Sequence, residues 1–185
     1  MDLVSPASIY VPGKIRTTQS PLYATYHVAL GAALLSGGLV KLFGDVQGVG
    51  GIKPEQTNMQ SAFELSGGEQ YIVRAMRLVP IGCGSADWTA FCQNCTVRLV
   101  AGSGNVPYAD APPEFWAGGA GVSLGTAVNN GVPDPRAITP FDVDPLLLED
   151  GIKFHVAFVG TSPGNAAADF FLRVYLDGQR TQAAQ

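Results

Sequence analysis

The chain has 185 residues, 46% of them hydrophobic, with 11 Lys+Arg against 15 Asp+Glu and a formal net charge of −4. That apolar content excludes a disordered chain, and 23 Gly with 13 Pro exclude a long helical bundle, since each inside a helix costs roughly 1 or 3 kcal/mol. Charged residues are only 14%, against roughly 25% in an average globular protein, so part of the surface is expected to lie against neighbours rather than water.

Residues 1–27 read as an extended N-terminal arm, with the rest of the chain, 28–185, as one domain. Ile9-Tyr10-Val11-Pro12-Gly13 and Ser20-Pro21-Leu22-Tyr23 are proline-stiffened and aromatic, suited to tying subunits together. The opening Met1-Asp2-Leu3-Val4-Ser5-Pro6 lacks the basic start and apolar stretch of a secretory signal, so none is expected. Thr17 to Val40 holds no charged residue, but its apolar centre, Val28 to Leu35, is far shorter than the ~18 residues needed to span a bilayer. A strand or short core segment is expected there.

Short β-branched or aromatic runs bounded by Gly or Pro predict strands at Leu39–Phe43, Gln70–Val79, Thr96–Val100 and Val122–Leu124. Tyr71–Val79 also fits a helix, because Ile72, Met76 and Val79 are spaced by four and three. Asp87–Cys92 reads as a helical turn. Residues 101–151 carry seven prolines and long irregular connections. The clearest strands come last: Ile152, Phe154, Val156 and Phe158 alternate with Lys153 and His155, and Phe170, Leu172, Val174 and Leu176 share a face against Arg173 and Asp177. Asp177-Gly178 is expected to close the second as a turn. Many short strands joined by long loops predict an all-β fold, a single jelly-roll β-sandwich.

Chemistry-bearing motifs are sparse. Cys92-Gln93-Asn94-Cys95 is a lone CxxC with a third cysteine at Cys83. A zinc site wants four ligands, and His27 and His155 stand far off, so free thiols come first, a structural disulfide second and metal or redox chemistry last. Leu65-Ser66-Gly67-Gly68-Glu69-Gln70 spells the signature of ABC-type ATPases, but no GxxxxGK[ST] loop accompanies it; it reads as a turn entering a strand. Gly118 to Gly125 has the wrong spacing for a dinucleotide fingerprint and reads as a loop. Glu149-Asp150 and the pair Asp142 and Asp144 read as solvated turns rather than acid/base or calcium groups. No nucleophile–base pair stands out, so no enzyme, catalytic residue, metal or cofactor is expected. The basic residues are scattered, Arg74 and Arg77 being the nearest to a cluster, and no direct nucleic-acid binding is expected.

Several segments together resemble the jelly-roll capsid proteins of tailless icosahedral bacterial and archaeal viruses, particularly those with an internal membrane. They are Leu42-Phe43-Gly44; Thr57-Asn58-Met59 before the turn and strand Leu65 to Leu78; Val97 to Val100 with Val106-Pro107-Tyr108 and Pro112-Pro113; Pro145 to Phe154; and Phe171 to Gln182. The resemblance spans residues 40 to 182 and implies a virion structural protein whose functional surface is its subunit contacts. It implies as partners further copies of itself and other capsid proteins, as a trimer or larger assembly, with possible contact to an internal viral membrane. Many relatives carry two jelly rolls in tandem, whereas this chain has room for one. The alternative is a capsid decoration or vertex protein, or a receptor- or glycan-binding β-sandwich using Trp88, Phe115 and Trp116, aromatics that otherwise serve as loop anchors.

Overall fold

Period-two alternation along the chain's last strands builds the frame of the fold. The computed structural model describes residues 15–102, 106–117, 139–141, 145–162 and 164–183. Among them are β1 (Ile15–Gln19), β2 (Leu22–Val28), β3 (Leu39–Leu42), β4 (Glu69–Ile81), β5 (Cys95–Ala101), β6 (Ala109–Ala111), β7 (Thr139–Pro140), β8 (Leu146–Glu149), β9 (Phe154–Gly160) and β10 (Phe170–Ala183). Two helices, α1 (Ser85–Asn94) and α2 (Pro113–Trp116), lie between strands.

The strands form an all-β sandwich of two antiparallel sheets. In the larger sheet β10 is central: β1 and β2 lie end to end along one of its edges, β4 along the other, and β7 and β8 lie end to end beyond β4. The smaller sheet runs β3-β9-β5-β6. The pairing is nested along the chain: β2 with β10, β3 with β9, β4 with β8, and β5 with β6. Each step inward along this ribbon moves from one sheet to the other.

Alternation puts one face of every long strand into the space between the sheets. Phe170, Leu172, Val174 and Leu176 of β10 and Phe154, Val156 and Phe158 of β9 are fully buried, as are Tyr71, Val73 and Met76 of β4. At roughly 25 cal/mol per Å² of apolar surface removed from water, this shared layer is the main stabilising term. α1 adds Trp88 and Phe91, and Phe91 meets Phe158 edge-on at 5.3 Å. The buried Asp87 carboxylate accepts the Ala167 backbone N–H at 3.1 Å, fixing α1 to the β9–β10 connection.

The strand expected at Gln70–Val79 is present as β4 and its helical alternative is not, because pairing with β10 and β8 satisfies both of its edges. Asp177-Gly178 does not end β10: the strand runs on to Ala183 through a β-bulge at that step. Gly178 serves close approach, since a Cβ there would overlap the Ile72 carbonyl oxygen across the ladder. The boundary expected between residues 27 and 28 falls inside β2, whose Leu22 and Ala24 are core residues, and β1 also pairs with β10. Residues 1–14 of the expected arm, and the strand expected at Val122–Leu124, lie outside the described residues. Val28–Leu35 is divided: Val28 ends β2, and after a turn Leu34 and Leu35 enter the core.

Candidate interaction surfaces

The alternation that buries one face of β10 turns the other outward, and the register of the larger sheet decides what meets there. Phe171, Arg173 and Tyr175 of β10 stand opposite His27, Thr25 and Tyr23 of β2 on one side, and opposite Ile81, Val79 and Arg77 of β4 on the other. Directly opposed side chains in a sheet are close enough to interact. His27 stacks on Phe171 at 4.7 Å, and Tyr23 and Tyr175 lie 6.0 Å apart. The Arg77 guanidinium sits 4.7 Å over the Tyr175 ring and donates two bonds to the Asp177 carboxylate at 2.6 and 2.9 Å. Such a fork-to-fork pair fixes geometry as well as contributing energy. His27 also lies 4.0 Å from Asp169.

A cleft of about 600 Å³ opens between this face and the loop leading from β3 to β4. Phe171 and Ile81 form its apolar floor, Thr25 and Arg173 one side, and Lys53 and Glu55 the facing wall. Arg173 is immobilised: its Nε–H donates to Thr25 Oγ1 at 3.0 Å, its Nη1 to the Tyr175 hydroxyl at 3.4 Å, and its Nη2 to the Glu55 carbonyl at 2.6 Å.

Thr57-Asn58-Met59 holds that wall in place. The Asn58 side chain accepts the Tyr23 N–H at 2.9 Å and donates to the Pro21 carbonyl at 2.8 Å. Thr57 Oγ1 donates to the Tyr23 carbonyl and accepts the Met59 N–H, while Met59 is buried in the core. Thr57 bridges Ala24 in antiparallel fashion. The segment therefore mimics one residue of a strand along the open edge of β2, which otherwise would offer unpaired backbone groups to another chain.

The aromatics considered as ligand platforms divide. Trp88 and Trp116 are buried, at 6% and 3% exposure, and only Phe115 is exposed, at 54%. Trp88 stacks on Phe91, while Trp116 meets Phe141 at 6.1 Å and donates its indole N–H to the Ala111 carbonyl. Both tryptophans are anchors of the sandwich, so the glycan-platform reading loses them.

Cys83, Cys92 and Cys95 are free thiols. Cys92 lies in the last turn of α1, which ends at Asn94, and Cys95 opens β5, so the CxxC sits at a helix end instead of a reactive helix start. Burial pushes Cys83 and Cys95 up to about 12; Asp87 adds to the shift at Cys83, and the Val159 backbone opposes it at Cys95. Cys92 is also raised, by burial and by the neighbouring Glu114 carboxylate. His155 projects from β9 toward the Phe63 ring, 6.2 Å away, and burial together with the Lys41 charge holds it below the usual imidazole range. Ser66 to Glu69 forms a tight turn into β4, with Gly68 at φ 78°, its N–H donating to Asp150 Oδ2. Glu149 ends β8 and accepts a bond from Gln70; Asp142, Asp144 and Gly118–Gly125 lie outside the described residues. Among the described residues no cluster of three or more His, Cys, Asp or Glu could hold a metal ion, and no helix is long and apolar enough to cross a membrane.

What sequence reasoning missed is the cleft. The alternation in β10 already turned Phe171, Arg173 and Tyr175 outward, but no signal in Asp45 to Gln56 announced a loop folded back over them. No protein-family model, curated protein or solved structure matches the chain.

Proposed function

We propose that this chain is a virion structural protein: a single jelly-roll subunit that assembles through protein–protein contacts into an icosahedral shell. The observation that carries the reading is the nested antiparallel pairing of β2 with β10, β3 with β9, β4 with β8 and β5 with β6. A rolled-up double Greek key would pair its strands in such a nested order, and this supports the reading. The low charge of the chain supports it, as do large apolar side chains facing outward, among them Leu30, Val49, Val106 and Phe115. Such a surface is costly for a free monomer and useful for a tile whose faces are covered by its neighbours.

In this reading the partners are further copies of the chain and other capsid proteins, its place is the virion, and one face is available to an internal viral membrane. The work is structural, so no catalytic group, metal or cofactor is assigned to any residue. The test is molar mass by light scattering over a concentration series with reductant present. A trimer or larger species that grows with concentration is expected. A strict monomer of 19.3 kDa throughout refutes self-assembly and favours a decoration or vertex module docked on another protein's shell.

A further inference from the structure

We propose that the cleft over β2 and β10 binds a carboxylated sugar, with Phe171 beneath one face of the pyranose ring and Arg173 and Lys53 on its carboxylate. The inference goes beyond the assembly reading and does not rest on it.

One wall of the cleft is the turn Lys53-Pro54-Glu55-Gln56, and its backbone is clamped throughout. The Gln56 N–H donates to the Lys53 carbonyl at 3.0 Å, and the Lys53 N–H to Gln56 Oε1 at 2.8 Å. The Tyr23 hydroxyl donates to the Pro54 carbonyl, and Arg173 Nη2 to the Glu55 carbonyl. The polar ends of the same turn are not used in this way. Among the described residues nothing pairs with the Lys53 ammonium, the Glu55 carboxylate or the Gln56 amide NH₂, although all three residues line the cleft. A fixed backbone that holds unpaired polar groups around an apolar floor has the form of a ligand pocket, and little ordering remains to be done on binding. The volume of about 600 Å³ lies within the roughly 300–1,000 Å³ of such pockets.

The chemistry of the lining selects the ligand. Arg173 commits three of its N–H groups to Thr25, Tyr175 and Glu55, and guanidinium has five. The two that remain, together with Lys53, suit one carboxylate. Glu55 in the same lining repels a second anionic group, which disfavours a phosphodiester chain or any other polyanion. Its carboxylate instead accepts from hydroxyl groups, and the Gln56 amide donates to hydroxyl oxygens. A plain aliphatic or aromatic acid would leave both facing it unpaired, at a cost in affinity. The floor is Phe171 and Ile81, each more than a third exposed, and His27 stacked at 4.7 Å fixes the plane of the Phe171 ring. The electron-rich face of such a ring attracts the C–H groups along one side of a pyranose. Other surface features lack this combination. Leu30 is more exposed than either floor residue, but it stands outside the cleft beside Asp169, whose carboxylate repels an acid. A smaller cleft of about 370 Å³ along Gln19, Arg74 and Asp177 has no ring in its lining, and its carboxylate is already paired with Arg77.

The test is saturation-transfer NMR on the full chain, which reads weak binding to a monomer and to an assembly alike. The probes are methyl glucuronide and methyl galacturonide, each carried to about 10 mM, tenfold above a weak millimolar dissociation constant. Their neutral counterparts, methyl glucoside and methyl galactoside, differ only in lacking the carboxylate. At least one uronide is expected to bind, and about tenfold or more tighter than its neutral counterpart, the effect of hydrogen bonds to a charged group. Phe171→Leu keeps an apolar floor without a ring and should weaken binding about fivefold. Lys53→Gln should narrow the preference for the acid while leaving the neutral sugar as it was. Both sites are exposed, and an unchanged Tm shows each variant folded. Four results overturn the proposal: neither uronide binds; the neutral sugars bind as tightly; phenylacetate or inorganic phosphate displaces the uronide as well as the uronide displaces itself; or both variants bind as the parent does. None of the four touches the assembly reading, which light scattering decides separately.

Discussion

Asn58 offers the sharpest test of how the cleft wall is held. Its side chain makes two bonds to backbone, accepting from Tyr23 N–H at 2.9 Å and donating to the Pro21 carbonyl at 2.8 Å. At about 1 kcal/mol net per bond, Asn58→Ala should cost about 2 kcal/mol. Water reaches the vacated groups once the loop lifts, so the larger penalty of a sealed orphan does not apply. For a domain of 185 residues, each kcal/mol lowers Tm by roughly 2–4 °C, giving a drop of about 4–8 °C by calorimetry. Asn58→Asp sharpens the test: it retains the acceptor for Tyr23 but turns an oxygen toward the Pro21 carbonyl. Its deficit should equal or exceed that of alanine at pH 7 and shrink in acid, where the protonated carboxyl donates again. Hydrogen exchange should show the Tyr23 amide losing protection in the alanine variant. An unchanged Tm with a still-protected Tyr23 amide would refute the reasoning and assign the seating of the loop to Thr57, Met59 and the Arg173–Glu55 bond.

In the core, Phe158→Ala removes a fully buried ring that meets Phe91 edge-on and should cost about 3–5 kcal/mol in urea unfolding. Gly178→Ala drives a Cβ into the Ile72 carbonyl, whereas Gly67→Ala meets nothing nearer than the Asp150 carboxylate at 3.8 Å. The first should lose about 1–3 kcal/mol and the second stay within about 0.5 kcal/mol; equal effects would contradict the bulge geometry. With Cys83 and Cys95 pushed to about 12, native thiolate at pH 8 is about a thousandfold scarcer than in the unfolded chain, so a chromogenic disulfide should react correspondingly slowly until denaturant is added. The same shift makes stability fall as pH rises from about 9 toward 12, because the unfolded chain releases these protons first. His155 gives the opposite limb. Its depressed value in the fold means that the unfolded chain binds the proton first as pH falls through about 6.5, so stability drops in acid, and His155→Gln should flatten that slope.

Legibility in the sequence followed the strength of the local pattern. The alternation in Phe154–Phe158 and Phe170–Leu176 is strict, and those residues became the two strands that centre the sheets. The pattern misled where a local signal competed with pairing across the sheet. Asp177-Gly178 has the composition of a turn, but Arg77 claims the Asp177 carboxylate and the Gly178 backbone lies against Ile72, so the strand passes through. Tyr71–Val79 carries two periods at once, and only the edges of β8 and β10 decide between them. The Thr57-Asn58-Met59 motif was visible, but its task was not, because the partner carbonyls at Pro21 and Tyr23 lie more than thirty residues upstream. The cleft is hidden for the same reason: Lys53 and Arg173, which both line it, are 120 positions apart in the chain.

The nested pairing also fixes when the fold can close. β2 is made before its strand partner, β10, which follows every other described strand. At roughly 5–20 residues per second, Leu22–Val28 waits on the order of ten seconds for Phe170–Leu176. Through that interval β4, thirteen residues long and rich in apolar side chains, has one edge empty. Closing contacts so distant along the chain is slow, and the bare edge is a hazard for aggregation. A chain cut short before Phe170 lacks the centre of the larger sheet and, with it, the Phe171 and Arg173 side chains that line the cleft.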